Sequence, residues 1–157
     1  MRIAVGADAY GLPLKDAVKR YLDEAGYEVK DFGIHESADT TPYYQTADEV
    51  AASVADGEFD RGILVCGTGM GMAIIANKHP GVYAAVCEST FAAEKSRSIN
   101  NSNILTLGAM VTAEVLARDI VEVWLKTEFT QGWDAPLQEW LRNSMAEILS
   151  IEQRRFL

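Results

Sequence analysis

The stretch RGILVCGTGMGMAIIANK, residues 61–78, runs from a compact apolar segment through three alternating glycines into a short helical pattern. RGILVC (61–66) predicts a buried strand, and Gly71 to Lys78 predict a short helix. The stretch is therefore a strand-to-helix junction, and the same alternation extends on both sides of it. Upstream, residues 2–7 (RIAVGA) predict a first strand. Leu12, Leu14, Ala17, Val18, Tyr21 and Leu22 then recur at helical spacing up to Gly26. YEVKDFG (27–33) predicts a second strand, 34–42 a polar loop and 44–56 a helix. Downstream, VYAAVC (82–87) and ILTLG (104–108) predict two more strands, separated by an amphipathic helix over 91–99. A long helix follows over 113–126, and another runs from about residue 134 to the end.

Five strands alternating with helices predict an α/β fold: a doubly wound, open parallel five-stranded sheet with helices on both faces, Rossmann-like, joined by right-handed crossovers. Residues 1–157 contain no linker, repeat or low-complexity segment, so one domain is expected. Ligands in such sheets sit beyond the carboxyl ends of the strands. That logic selects Asp8, the loop Cys66 to Gly71, Glu88 and Gly108. Composition narrows the function classes. Fourteen Lys and Arg against 23 Asp and Glu give a net charge of -9, which argues against nucleic acid or an anionic membrane surface as a partner. No secretory or membrane-length apolar segment occurs, so a cytoplasmic location is expected, with both cysteines reduced. Cys66 and Cys87 lack metal or disulfide spacing, and no cofactor is called for.

A glycine-rich turn entering a helix offers backbone N–H donors and the positive end of the helix dipole, which favour an anion. For Cys66 this leaves three chemical uses: a phosphate cradle, an activated nucleophile, or a thiolate base beside an oxyanion-stabilising nest. A buried structural thiol is the bland reading. The residues after Cys66 lack the arginine that a phosphatase loop would need, and the glycines match neither nucleotide-binding spacing.

The run VCGTGMGMAIIANKHPGVYAAVC, with NNSNILTLG downstream and GADAYG at the start, resembles the sugar isomerase family of ribose-5-phosphate isomerase B and the galactose-6-phosphate isomerase subunits. The similarity covers essentially residues 1–130. It implies metal-free aldose–ketose isomerisation through a cis-enediol, in a homodimer or dimer of dimers with sites between subunits and a C-terminal helix packed on the neighbour. Carried over by the resemblance, Cys66 is the base between C1 and C2, and Thr68 assists proton movement at the substrate oxygens. The N–H groups of Gly67, Gly69 and Gly71 stabilise the enediolate, while Asp8, Tyr43 and Asn100 contact substrate.

The chain also departs from that family's pattern. A phosphate-binding histidine is replaced by Ala9, and the ring-opening histidine by Ile99. Expected arginines are replaced by Met110, Trp133 and Leu137, and Asp134 adds a negative charge. Losing one charge-assisted partner of a buried anion typically costs on the order of 2 to 5 kcal/mol. A small sugar lacking phosphate at the usual place is therefore the expected substrate, held against an apolar wall of Ile99, Met110, Trp133 and Leu137. The alternatives are a ribose- or tetrulose-type sugar phosphate held by altered contacts, and a non-catalytic partner subunit in a hetero-oligomer. For Trp133, and for the stripe Leu137, Trp140, Leu141, Met145 and Ile148, core or interface packing competes with ligand contact. Arg97 is expected in a surface ion pair, and His35 and His79 as solvated side chains.

Overall fold

The computed structural model describes residues 1–156. β1 (Arg2–Ala7) is followed by α1 (Leu12–Glu24), β2 (Glu28–Asp31), α2 (Tyr43–Ala55), β3 (Arg61–Cys66) and α3 (Met70–Ala76). Then come β4 (Ala84–Val86), α4 (Thr90–Ser98), β5 (Ile104–Gly108), α5 (Glu114–Lys126) and α6 (Ala135–Phe156). Leu157, the last residue of the helix expected to reach the chain end, lies outside the described residues. The strands form one parallel sheet in the order β2-β1-β3-β5-β4. The chain winds outward from β1 to β2, crosses back to β3, then passes over one place to β4 before β5 fills the gap.

Period-two alternation in the strands divides the interior into two cores. Ile3, Val5, Ile63, Val65, Leu105 and Leu107 face one side, where Leu14, Val18 and Leu22 of α1, Ala93 of α4 and Ile120, Val121 and Trp124 of α5 cover them. Ala4, Leu64, Cys66 and Ile104 face the other side, under Val50 and Ala51 of α2 and Met72 and Ala76 of α3. Burying each large aliphatic side chain contributes roughly 1.5–3 kcal/mol. The parity that buries Leu64 therefore also fixes which way Cys66 points, two residues on.

Helix ends follow local chemistry. Pro13 opens α1, where a missing N–H is harmless. The Ser89 hydroxyl caps α4 by accepting the N–H of Ala92 at 3.1 Å. The predicted strands 27–33 and 82–87 are shorter in the structure, 28–31 and 84–86. Both lie at sheet edges, where one neighbour supplies all the pairing and the ends peel away.

Arg97 is not in a surface ion pair. It is 2 % exposed; its Nη1 donates to the carbonyl of Ser102 at 2.6 Å and to Asn101 Oδ1 at 2.9 Å, and its Nε donates to the carbonyl of Thr127 at 3.3 Å. The guanidinium thus ties the end of α4 to the end of α5. Burial, with repulsion from Arg61 behind it, pushes Arg97 down to about 10. His79 is half-buried rather than free in solvent, with Nε2 2.9 Å from Asp48 Oδ1.

α6 crosses the amino edge of the sheet. The Glu152 carboxylate accepts the N–H of Gly81 at 3.2 Å and the Tyr83 hydroxyl at 3.4 Å. Met145 and Leu149 border a cleft of about 410 Å³ with Phe59 and Tyr83. Of its apolar stripe, Leu141 is buried and Met145, Leu137 and Ile148 are half-buried, while Trp140 is 62 % exposed. Among the described residues, no helix is long and apolar enough to cross a membrane.

Candidate active site at the carboxyl edge

β3 ends on Cys66, which pairs in register with Gly108 at the end of β5. Beyond the strands the two following loops stay joined. Ala109 N–H donates to the carbonyl of Cys66 at 2.8 Å, and Met110 N–H donates to that of Gly67 at 2.9 Å. The loop after β3 then turns through Gly69 at φ +77°, a left-handed conformation that glycine adopts without strain. That turn aims the Gly69 N–H at Cys66 Sγ, 3.1 Å away. The sulfur is buried, with Cys66 6 % exposed.

Space forces the other glycines. A Cβ on Gly108 would stand 2.7 Å from the backbone of Thr68, so the β5 glycine makes room for the loop that carries Thr68. A Cβ on Gly71 would stand 2.7 Å from Tyr43 Cε2, so the phenol ring lies flat on the start of α3. Gly67 lies beneath the Met110 thioether, whose Cε would be 3.2 Å from an added Cβ. Thr68 is exposed, and its Oγ1 is 3.4 Å from the N–H of Met70. Asp8 Oδ1 accepts the N–H of Gly11 at 2.9 Å and closes the turn after β1, leaving its second oxygen outside that turn. Gly11 in turn presses on the Val65 carbonyl, which locks this turn to the end of β3.

The structure thus brings together Asp8, Tyr43, Cys66, Gly67, Thr68, Gly69, Gly71 and Met110. It adds Tyr10, 68 % exposed, whose Cβ would be 3.8 Å from a Cβ on Gly67. Sequence reasoning passed over Tyr10, although its place two residues past Asp8 at a strand end was the available signal. Ile99, Asn100 and Trp133 are elsewhere in the chain. α4 runs back from the carboxyl edge, so Ile99 and Asn100 lie beyond its far end, near the start of β5. The length of β5 alone separates the two edges by about 13 Å. Trp133 also sits on that side, with Lys95 Nζ 4.7 Å from its ring centroid. Thr130 N–H, three residues before it, donates to the carbonyl of Ser98. Glu88 is exposed just past β4.

Two groups of expected ligand contacts therefore stand at opposite edges of one chain. The first combines a sulfur, several N–H donors, a hydroxyl and a carboxylate, walled by the exposed side chains of Tyr10, Tyr43 and Met110. Such a set can accept a proton from carbon and stabilise charge on a neighbouring oxygen. Among the described residues, no three His, Cys, Asp or Glu side chains gather as a metal-holding group.

Residues 3–138 match the ribose/galactose isomerase family. The chain is 45% identical over 153 residues to a 4-deoxy-4-sulfo-D-erythrose isomerase of a Clostridium species, strain MSTE9, covering 98% of this chain and 96% of that protein. It is 40% identical over 139 residues to a D-erythrulose-4-phosphate isomerase of Pectobacterium atrosepticum, with 88% and 91% covered. The solved structure of Clostridium thermocellum ribose-5-phosphate isomerase B superimposes with a TM-score of 0.90 at 42% identity, covering 98% of this chain and 99% of that one.

Proposed function

Because the chain belongs to the ribose/galactose isomerase family and is a sugar isomerase, we propose that Cys66 is the base of a cofactor-independent aldose–ketose interconversion. Its thiolate removes the proton from C2 of an open-chain aldose, and the electron pair moves toward the C1 carbonyl oxygen to give a cis-enediolate. The N–H groups of the Gly67 to Gly71 loop stabilise that charge. Thr68 relays the hydroxyl proton between the two oxygens, and Cys66 returns its proton to C1. Asp8 and Tyr43 hold the substrate hydroxyls. The observation that carries this reading is the Cys66 sulfur at the end of a central strand, with the Gly69 N–H directed at it.

A second copy of the chain completes the site by bringing its Ile99, Asn100 and Trp133 against the first copy's Cys66. The separation of these residues by the length of the sheet within one protomer supports this arrangement. So does the apolar surface of α6, where Trp140, Leu149 and Ile151 are exposed. The assembly is a homodimer or dimer of dimers, with α6 on the neighbouring subunit. The two free thiols suit the cytoplasm.

The substrate is a short aldose ending in a sulfonate rather than a phosphate. Ala9, Ile99, Met110, Trp133 and Leu137 supply no cation for a dianion, whereas a sulfonate carries one charge over three equivalent oxygens. The name of the Clostridium relative supports the same chemistry. A four-carbon sugar phosphate is the second reading, favoured by the Pectobacterium relative.

The test is NMR detection of solvent deuterium entering C1 or C2 of neutral, sulfonated and phosphorylated tetroses and pentoses. Wild type is expected to exchange the sulfonated tetrose fastest. Cys66→Ala is expected to lose on the order of 10² to 10⁴ in rate. Unimpaired exchange by Cys66→Ala would sink the mechanism, and fastest exchange of a phosphorylated sugar would overturn the substrate.

A further inference from the structure

We propose that Lys95, with the indole N–H of Trp133, binds the anionic tail of the substrate and selects a singly charged tail over a neutral sugar. This inference rests on the reading that a second copy closes the site with its Ile99, Asn100 and Trp133.

Three observations converge on this pair. Phe91, Lys95 and Ile99 follow one another at intervals of four, so they share one face along α4 and just past its end. Lys95 is therefore the cation adjoining Ile99. Its Nζ lies 4.7 Å from the Trp133 ring centroid and 5.5 Å from that of Phe91, so two aromatic faces hold the ammonium in place. Trp133 Nε1 is buried and, among the described residues, has no hydrogen-bond partner. A buried donor without an acceptor calls for an explanation, and a ligand oxygen supplies one.

The charges nearby are consistent. Asp134, which by sequence put an acid in this place, uses its Oδ1 to accept the Leu137 N–H at 3.0 Å and so caps α6. Glu94 holds Lys95 Nζ at 2.7 Å, but both side chains are partly in solvent, 44% and 28% exposed. Exposed pairs of that kind are weak, so the ammonium can be shared with a ligand. One lysine and one indole N–H suit a tetrahedral monoanion. Neither provides the fork of an arginine, which matches a phosphate dianion with two parallel bonds.

The experiment uses the full chain and compares wild type with Lys95→Met, Lys95→Arg and Trp133→Phe. Initial rates are measured on a neutral aldotetrose and on its 4-sulfo and 4-phospho counterparts. Lys95→Met is expected to lower the preference for the sulfonated over the neutral sugar at least about tenfold, a change carried by KM rather than kcat. Lys95→Arg is expected to restore most of it, and Trp133→Phe to lower it by a smaller factor. Equal losses on neutral and sulfonated sugars, or no loss, would overturn the assignment. Calorimetric titration with 3-hydroxypropane-1-sulfonate separates this inference from the isomerase reading. Wild type is expected to bind and Lys95→Met not to. Wild type that binds the sulfonate yet exchanges no sugar would sink the isomerase reading alone. Failure of wild type to bind it would overturn the tail site whatever sugars turn over.

Discussion

Replacing Gly69 by alanine would ask a side chain to adopt φ +77° and to sit 3.0 Å from the Leu107 backbone. A strained residue of this kind costs on the order of 1–3 kcal/mol, so Gly69→Ala is expected to lower the urea midpoint accordingly. Because the same N–H is aimed at Cys66 Sγ, deuterium exchange into sugar is expected to fall further than the stability loss explains. Cys87, the other thiol, responds to pH instead. Burial raises it above its ordinary value of 9.0, with the Ser96 hydroxyl pulling the other way. The folded protein then keeps this proton to higher pH than the unfolded chain does. Its contribution is complete below the unfolded value and is lost as pH rises through the folded one. The urea midpoint is expected to be lower at about pH 10 than at about pH 8, and Cys87→Ala to narrow that difference. The loop around Cys66 was legible in the sequence because its residues are consecutive. The contacts that shape it were not. Gly108 under Thr68, Gly71 under Tyr43 and Met110 over Gly67 depend on which strands and helices become neighbours, and no local pattern states that.

Among the elements, the α4–β5 junction hinges on one buried cation. Arg97→Met would keep most of the volume but leave the carbonyls of Ser102 and Thr127 without this donor. Each buried acceptor left bare costs about 1–3 kcal/mol. A loss of several kcal/mol is therefore expected in urea unfolding, with little change in the carboxyl-edge geometry. The element order was readable because compact apolar runs such as RGILVC and ILTLG alternate with segments whose apolar residues recur at helical spacing, such as 12–22 and 113–126. The inward position of Arg97 was not readable. A charged residue on a short helix of ordinary polarity looks solvent-facing until α5 closes over it and turns the carbonyl of Thr127 toward it. Edge strands β2 and β4 were overextended for a related reason, since β-branched composition does not reveal that a strand has only one neighbour.

For the whole molecule, the separation of Asn100 from Cys66 makes shared sites testable by mixing. Cys66→Ala and Asn100→Ala are each expected to be impaired alone. If two copies share their sites as proposed, the two variants unfolded together and refolded are expected to form mixed dimers in which one of the two sites carries neither substitution. By random pairing, about a quarter of wild-type turnover is expected to return in the equimolar mixture. No recovery would place both residues in a single chain's site. Nothing local in the sequence marks which residues meet across two chains, so the family resemblance alone suggested that division. The strand order carries a consequence for biosynthesis. β4 leaves the ribosome before the strand that must stand between it and β3, so it has no docking place until Ile104–Gly108 has emerged. A nascent chain halted between residues 86 and 104 would hold a three-stranded half-sheet with a dangling fourth strand. Completion of the fold, and with it closure of the Gly108 side of the Cys66 loop, is a late event in synthesis.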